Sequence, residues 1–168
     1  MVAAAKALAA AAMVLAIAGC AGIARREAIG QNTMQQTPAH LAAIESTADV
    51  ATTVAALKAA FAARGITVFA LIDHAAAAAD AGQAMPRTQV IVFGNPKAGT
   101  PLMQAHPDLA LDLPMRVLVR ETVPGRAELR WHSSADIEHG QRLPVGTLDG
   151  LKPLDALIRQ TVARLGTG

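Results

Sequence analysis

The most constraining part of this chain runs from Met115 to His132. In "MRVLVRE", Met115, Val117 and Val119 alternate with Arg116 and Arg120. After the turn residues "VPGR", "AELRWH" alternates again and puts Ala127, Leu129 and Trp131 on one side. A period of two sends neighbouring side chains to opposite faces of a strand, so each segment has one apolar and one polar face. Two such segments across a Pro-Gly turn predict an antiparallel hairpin. Its apolar face must be covered, while the other can meet water. The rest of the chain has to supply that cover.

Helices supply it. Val50, Val54, Leu57 and Phe61 recur at helical spacing, with Asp49 as N-cap and Gly65 as the stop. "ITVFALID" alternates as a strand, and Asp73 then caps the alanine-rich "HAAAAADA" that ends at Gly82. Alanine is the best helix former, so this low-complexity run is read as helix. "TQVIVF" is a further strand, and "HLAAIES" a weak first one. Thr100-Pro101 reads as N-cap and first residue of a short helix, "PLMQAH", which Pro107 ends. Leu109, Leu111 and Leu113 are expected inside, flanking Asp112. A last helix from about Leu151 to Leu165 places Leu154, Leu157, Ile158, Thr161 and Leu165 on one face. The order is strand, helix, four strands, helix: an α+β fold, an antiparallel sheet with helices on one face.

Composition limits what can fill that sheet–helix interface. Hydrophobic residues make up 52% of the chain but aromatics only 2%, so aliphatic side chains must pack around Phe61, Phe69, Phe93 and Trp131. The formal charge of +2 gives no basic face of the kind nucleic-acid binding needs. Nucleic acid is excluded as a partner on that ground.

The first twenty residues carry an address. Lys6 precedes an apolar run from Ala7 to Ile17, followed by Ile17-Ala18-Gly19-Cys20. A basic start, a short apolar core and small residues at the cut describe a secretory signal. The cysteine after Ala-Gly makes this resemble a bacterial lipobox, in which Cys20 is acylated and becomes the new N-terminus. Residues 1–19 are then signal peptide, residues 20–38 a polar tether, and residues 39–168 a single folded domain. Ala21 after the cysteine leans towards the outer membrane, on the periplasmic side. Cys20 is the only cysteine, so the domain has no disulfide, thiol nucleophile or cysteine metal ligand.

Four stretches carry a family resemblance. "DVATTVAALKAAFAARGITVFALIDHAA", "PRTQVIVFGNPKAGTPLM", "ALDLPMRVLV" and the later His139-Gly140 resemble, in order and spacing, domain of unknown function family 302, from about Ser46 to Leu165. The resemblance implies a fold like that of TATA-binding protein, strand-helix-four strands-helix. A fold does not by itself bring a function with it.

The turn "FGNPKAGT" nearly makes a phosphate-binding loop. Gly94 and Gly99 have the spacing, but Thr100 stands where the lysine belongs, Lys97 lies inside the loop, and Pro96 removes an amide donor. These departures argue against nucleotide hydrolysis. A smaller anion on the amides of Gly99 and Thr100 stays open, beside a purely structural turn shaped by Asn95, Pro96 and Gly99. Asp73 is most economically a helix cap, and His74 is either a loop partner or a functional base. Asp112 is expected to pair with Lys97 or an arginine. "WHSSADIEH" reads as a polar loop, with His132, Asp136 and His139 at no known metal spacing. No cofactor or metal signature is present.

The ligand-binding candidates are therefore Asp73, His74, Asn95, Lys97, Gly99, Thr100, Asp112 and His139. The leading expectation is a lipid-anchored envelope module that binds a small ligand or an envelope protein, or pairs with a second copy along a sheet edge. The alternative is an envelope enzyme in which His74, Asp112 and His139 converge near the Asn95–Thr100 turn for acid–base or metal-assisted chemistry.

Overall fold

The computed structural model describes residues 41–166. The signal segment, Cys20 and the tether lie outside these residues. The chain forms β1 (Ala42–Ser46), α1 (Val50–Ala63), β2 (Thr67–Asp73), α2 (His74–Asp80), β3 (Thr88–Gly94), α3 (Pro96–Ala105), β4 (Met115–Val123), β5 (Arg126–Trp131), α4 (Ser134–Gly140) and α5 (Lys152–Leu165). Short 3-10 turns at Pro107–Leu111 and Asp149–Leu151 lead into β4 and α5. The five strands pair antiparallel in the order β1-β5-β4-β3-β2. This is the expected α+β architecture.

Two carboxylates set the helix starts as the sequence predicts. Asp49 Oδ1 accepts the Thr52 N–H at 2.8 Å, and Asp73 Oδ1 accepts that of Ala76 at 2.9 Å. Each satisfies an amide that has no partner inside the helix. Gly65 follows α1 with φ +64°, a backbone that glycine adopts without cost.

The hairpin alternates as expected. Met115, Val117 and Val119 on β4 and Ala127, Leu129 and Trp131 on β5 are all buried under α1 and α5. Leu57 and Phe61 of α1 and Ile158 of α5 are fully covered, and Phe61 stacks on Phe93 with ring centroids 4.3 Å apart. Burying one such side chain contributes about 1.5–3 kcal/mol. The opposite face runs as a row from Ile72 through Val90 and Leu118 to Arg130, in register across four strands. Beside it Glu128 accepts hydrogen bonds from Arg120 and Arg130 at 2.8 and 2.9 Å.

Some expectations fail for identifiable reasons. Phe69 is 49% exposed, not core. The β2–β3 register shifts between Val68 and Ala70, so Phe69 is an extra, unpaired residue in a bulge, and its ring leaves the alternation. Leu111 is 77% exposed while Leu109 and Leu113 are buried, because Pro107–Leu111 is a 3-10 turn rather than an extended segment. "SSADIEH" is a helix, not a loop: Ser133 and Asp136 form a reciprocal capping box at the start of α4.

Candidate functional site: an apolar cavity at the β3–α3 turn

The turn after β3 does not hold Thr100-Pro101 as a helix start. The helix begins five residues earlier in the chain, with Asn95 as N-cap and Pro96 at its first position. Asn95 Oδ1 accepts the Lys97 N–H at 2.9 Å, and its carbonyl accepts those of Ala98 and Gly99 at 3.0 and 2.9 Å. Pro96 has no N–H. The amides after Asn95 are therefore spent inside the turn, which overturns an anion seat on them. Asn95 has extended backbone (φ −124°), and Gly99 is helical with no positive φ. Neither is there for an unusual backbone conformation.

A different reason for Gly99 is visible around it. A cavity of about 240 Å³ lies against the turn, with almost wholly apolar walls. Gly94, Asn95 and Pro96 form one side and Gly99, Thr100 and Met103 of α3 another. Leu113 and Pro114 approach from the segment before β4, and Leu151 and Leu154 from the start of α5. Phe69, turned out by the bulge, closes the remaining side. A Cβ on Gly99 would meet only Met103 Cε at 3.9 Å and Leu113 Cδ1 at 4.0 Å. One on Gly94 would meet Pro114 Cβ at 3.5 Å and Phe69 Cε2 at 3.7 Å. Both are ordinary contacts, so these glycines are not forced by a clash. A side chain at either would occupy space that the cavity keeps. In a helix interior glycine costs about 0.5–1 kcal/mol relative to alanine, so α3 gives up some stability at Gly99, where a side chain would narrow the cavity.

The other candidates do not gather here. Asp73 caps α2, and its Oδ2 accepts Gln89 Nε2 at 2.7 Å. The Ala76 amide first, then Gln89, hold its carboxyl below the ordinary value. It borders a separate small cavity with Arg87, and His74 is exposed beside it, lining none of the four cavities described. Asp112 and His139 do share a space, of about 410 Å³, with His132, Asp136 and Arg142. Its carboxylates are engaged: Asp112 accepts Gln141 Nε2 at 2.6 Å and Asp136 accepts the Ser133 N–H at 2.8 Å. Asp112 thus meets Gln141, not Lys97, and among the described residues no ion pair uses Lys97. The three-residue convergence of His74, Asp112 and His139 at the Asn95–Thr100 turn is not formed. Among the described residues no group of three His, Cys, Asp or Glu side chains could hold a metal ion.

Of the sequence candidates, Asn95, Gly99 and Thr100 line the cavity, whereas the walls supplied by Phe69, Leu113, Pro114 and the start of α5 carry no signal of a site in the sequence. Phe69, expected in the core from its apolar character, stands at the cavity instead. The α5 end is fixed by Asp155, whose Oδ1 accepts Trp131 Nε1 at 2.8 Å and whose Oδ2 accepts the Ser134 hydroxyl at 2.8 Å. Glu138 accepts the Leu148 N–H at 2.9 Å and so ties down the connection to α5. That amide, and next Gly146's, keep its carboxyl below the ordinary value. The Ser133–Asp136 spacing is the one local signal that announces this region.

Comparison with known proteins bears on the family and the fold. A fluoride-specific ion channel FluC 1 of Brucella suis biovar 1 is 35% identical over 127 residues, covering 76% of this chain and 47% of the relative. FluC 1 of Brucella abortus biovar 1 has the same identity over 44% of its length. The chain thus spans less than half of these curated relatives. Among its described residues no helix is long and apolar enough to cross a membrane. A crystal structure of an uncharacterized conserved DUF302 protein from Bacillus stearothermophilus superimposes with a TM-score of 0.65 at 9% identity, over 76% of this chain and 99% of that one. That likeness is one of fold. Residues 42–160 match the family described as domain of unknown function DUF302, and the chain belongs to that family.

Proposed function

We propose that this chain is a lipid-tethered cell-envelope binding module, with the cavity beside Phe69 and Gly99 as the seat of a small apolar group. The observation that carries this is the cavity itself, with almost wholly apolar walls, beside which Gly99 is a helical glycine of ordinary backbone that puts no side chain into the space. Concave, mostly apolar sites with a few polar groups at the rim are the usual form of small-molecule sites. Here Asn95 and Thr100 supply that rim. The lipobox-like Cys20 supports placement at a membrane. So do the relatives, which are named as ion channels and contain a stretch similar to this domain. The channel activity belongs to those proteins.

Titrating the full chain with octanol by calorimetry tests the reading. Saturable binding is expected, and Gly99→Leu should abolish it while leaving the melting temperature no lower. Octanol binding of equal strength in both proteins would sink the assignment of this cavity.

A further inference from the structure

The apolar cavity has a neighbour with a different character. A second space of about 250 Å³ is bounded by Arg64 and Ile66 after α1, Ala98 on α3, and Gly150 and Pro153 beside α5. Asn95, Leu151 and Leu154 line both spaces, so the two adjoin along these residues. Among the described residues, Arg64 is the one charged side chain on either wall, and no carboxylate lines either. Among the described residues no ion pair uses Arg64. Asn95 spends its Oδ1 on the Lys97 amide, and its side-chain NH2 makes no hydrogen bond among the described residues.

An arginine at a helix C-terminus can be no more than a solvated cation favoured by the helix dipole. Its position on the wall of a space that adjoins the apolar cavity gives it a second use. We infer that the two spaces form one two-ended site for a carboxylate-bearing amphiphile. The apolar chain lies in the cavity beside Phe69, and the carboxylate meets the Arg64 guanidinium and the Asn95 NH2. This rests on the apolar cavity being the ligand seat. A guanidinium presents paired donors that match the two oxygens of a carboxylate. A cationic amphiphile finds no counter-charge on these walls, and a neutral one leaves Arg64 unused.

The test is calorimetric titration of the full chain with octanoate, octanol and octylamine at neutral pH. Octanoate should bind at least tenfold more tightly than octanol, and octylamine most weakly. Arg64→Gln changes an exposed side chain, so the melting temperature should hold. It should bring octanoate binding down to that of octanol and leave octanol unchanged. Equal wild-type affinities for octanoate and octanol would overturn the carboxylate assignment, as would an Arg64→Gln protein that keeps its preference. In either case, octanol binding that Gly99→Leu removes would leave the apolar seat standing. If none of the three probes binds, the seat itself fails, and this inference with it.

Discussion

Trp131 and Asp155 are joined by a 2.8 Å hydrogen bond from the indole Nε1 to the carboxylate Oδ1. The bond crosses from the end of β5 to the start of α5, and Arg159 lies 4.9 Å over the same indole ring. Asp155 also receives the Ser134 amide and hydroxyl, at 3.1 and 2.8 Å. One carboxylate thus fixes the sheet, α4 and α5 together, and with them Leu151 and Leu154 on the cavity wall.

Asp155→Ala should therefore destabilise the domain by about 1–3 kcal/mol, the cost of leaving buried donors unsatisfied. Asp155→Asn keeps one acceptor and should fall between. Urea unfolding measures both. An Ala variant within about 0.5 kcal/mol of wild type, the range of ordinary surface changes, would contradict the role given to Asp155.

The helix start at Asn95 predicts an asymmetry among three polar residues of this turn. Asn95→Ala removes a cap and should cost about 0.5–2 kcal/mol. Thr100→Ala and Lys97→Met change exposed side chains inside α3 and should stay within about 0.5 kcal/mol. If Thr100→Ala proves the costlier cap loss, the helix begins where the sequence alone would have put it.

Acid should weaken the open face of the sheet. Burial pushes the Glu128 carboxyl up, but hydrogen bonds from Arg130 and Arg120 outweigh it and hold it below its ordinary value of 4.5. A group depressed in the folded state adds stability that is fully present above about pH 4.5 and is lost as pH falls through the folded value. Glu128→Gln should flatten the loss of stability below that pH, read from melting temperatures against pH. An unchanged acid slope would show that the two arginines do not hold this carboxylate.

Among the described residues β2 is an edge strand of the sheet, and it carries Leu71 and Ile72 at 42% and 44% exposure. An unprotected apolar edge strand invites another strand, and a two-fold axis would let a second copy supply it. Sedimentation should show a dimer of the full chain that Leu71→Lys weakens. A wild-type chain that is monomeric at high micromolar concentration would remove the edge as an interface.

What the sequence made legible follows the range of the forces involved. Alternation at Met115–Val119 and Ala127–Trp131, and the caps Asp49 and Asp73, are local, and the structure has them where they were expected. Pro96 and Pro101 both fit a first helical position, and only the backbone bonds from Ala98 and Gly99 to Asn95 decide between them. The Phe69 bulge is set by how β2 meets β3, which no period within β2 encodes. The cavity was hidden for the same reason. Its walls come from segments far apart in the chain, and Gly99, a turn residue by its sequence context, lies inside α3.

The glycine also gives a stability test. Gly99→Ala should raise stability by up to about 0.5–1 kcal/mol, the usual gain in a helix interior, while narrowing the cavity. A loss on urea unfolding would mean that the site does not tolerate a Cβ, and that Gly99 is kept for packing rather than for space.

The central claim is that this cavity receives an apolar group. Intermolecular NMR distance contacts between octanol and the isotope-labelled chain test it most directly. The account predicts contacts from the octanol chain to the Phe69 ring, the Met103 methyl and the Leu113 methyls, all lost in Gly99→Leu. Contacts confined to Ile72, Val90 and Leu118 on the open face, and kept in Gly99→Leu, would contradict it.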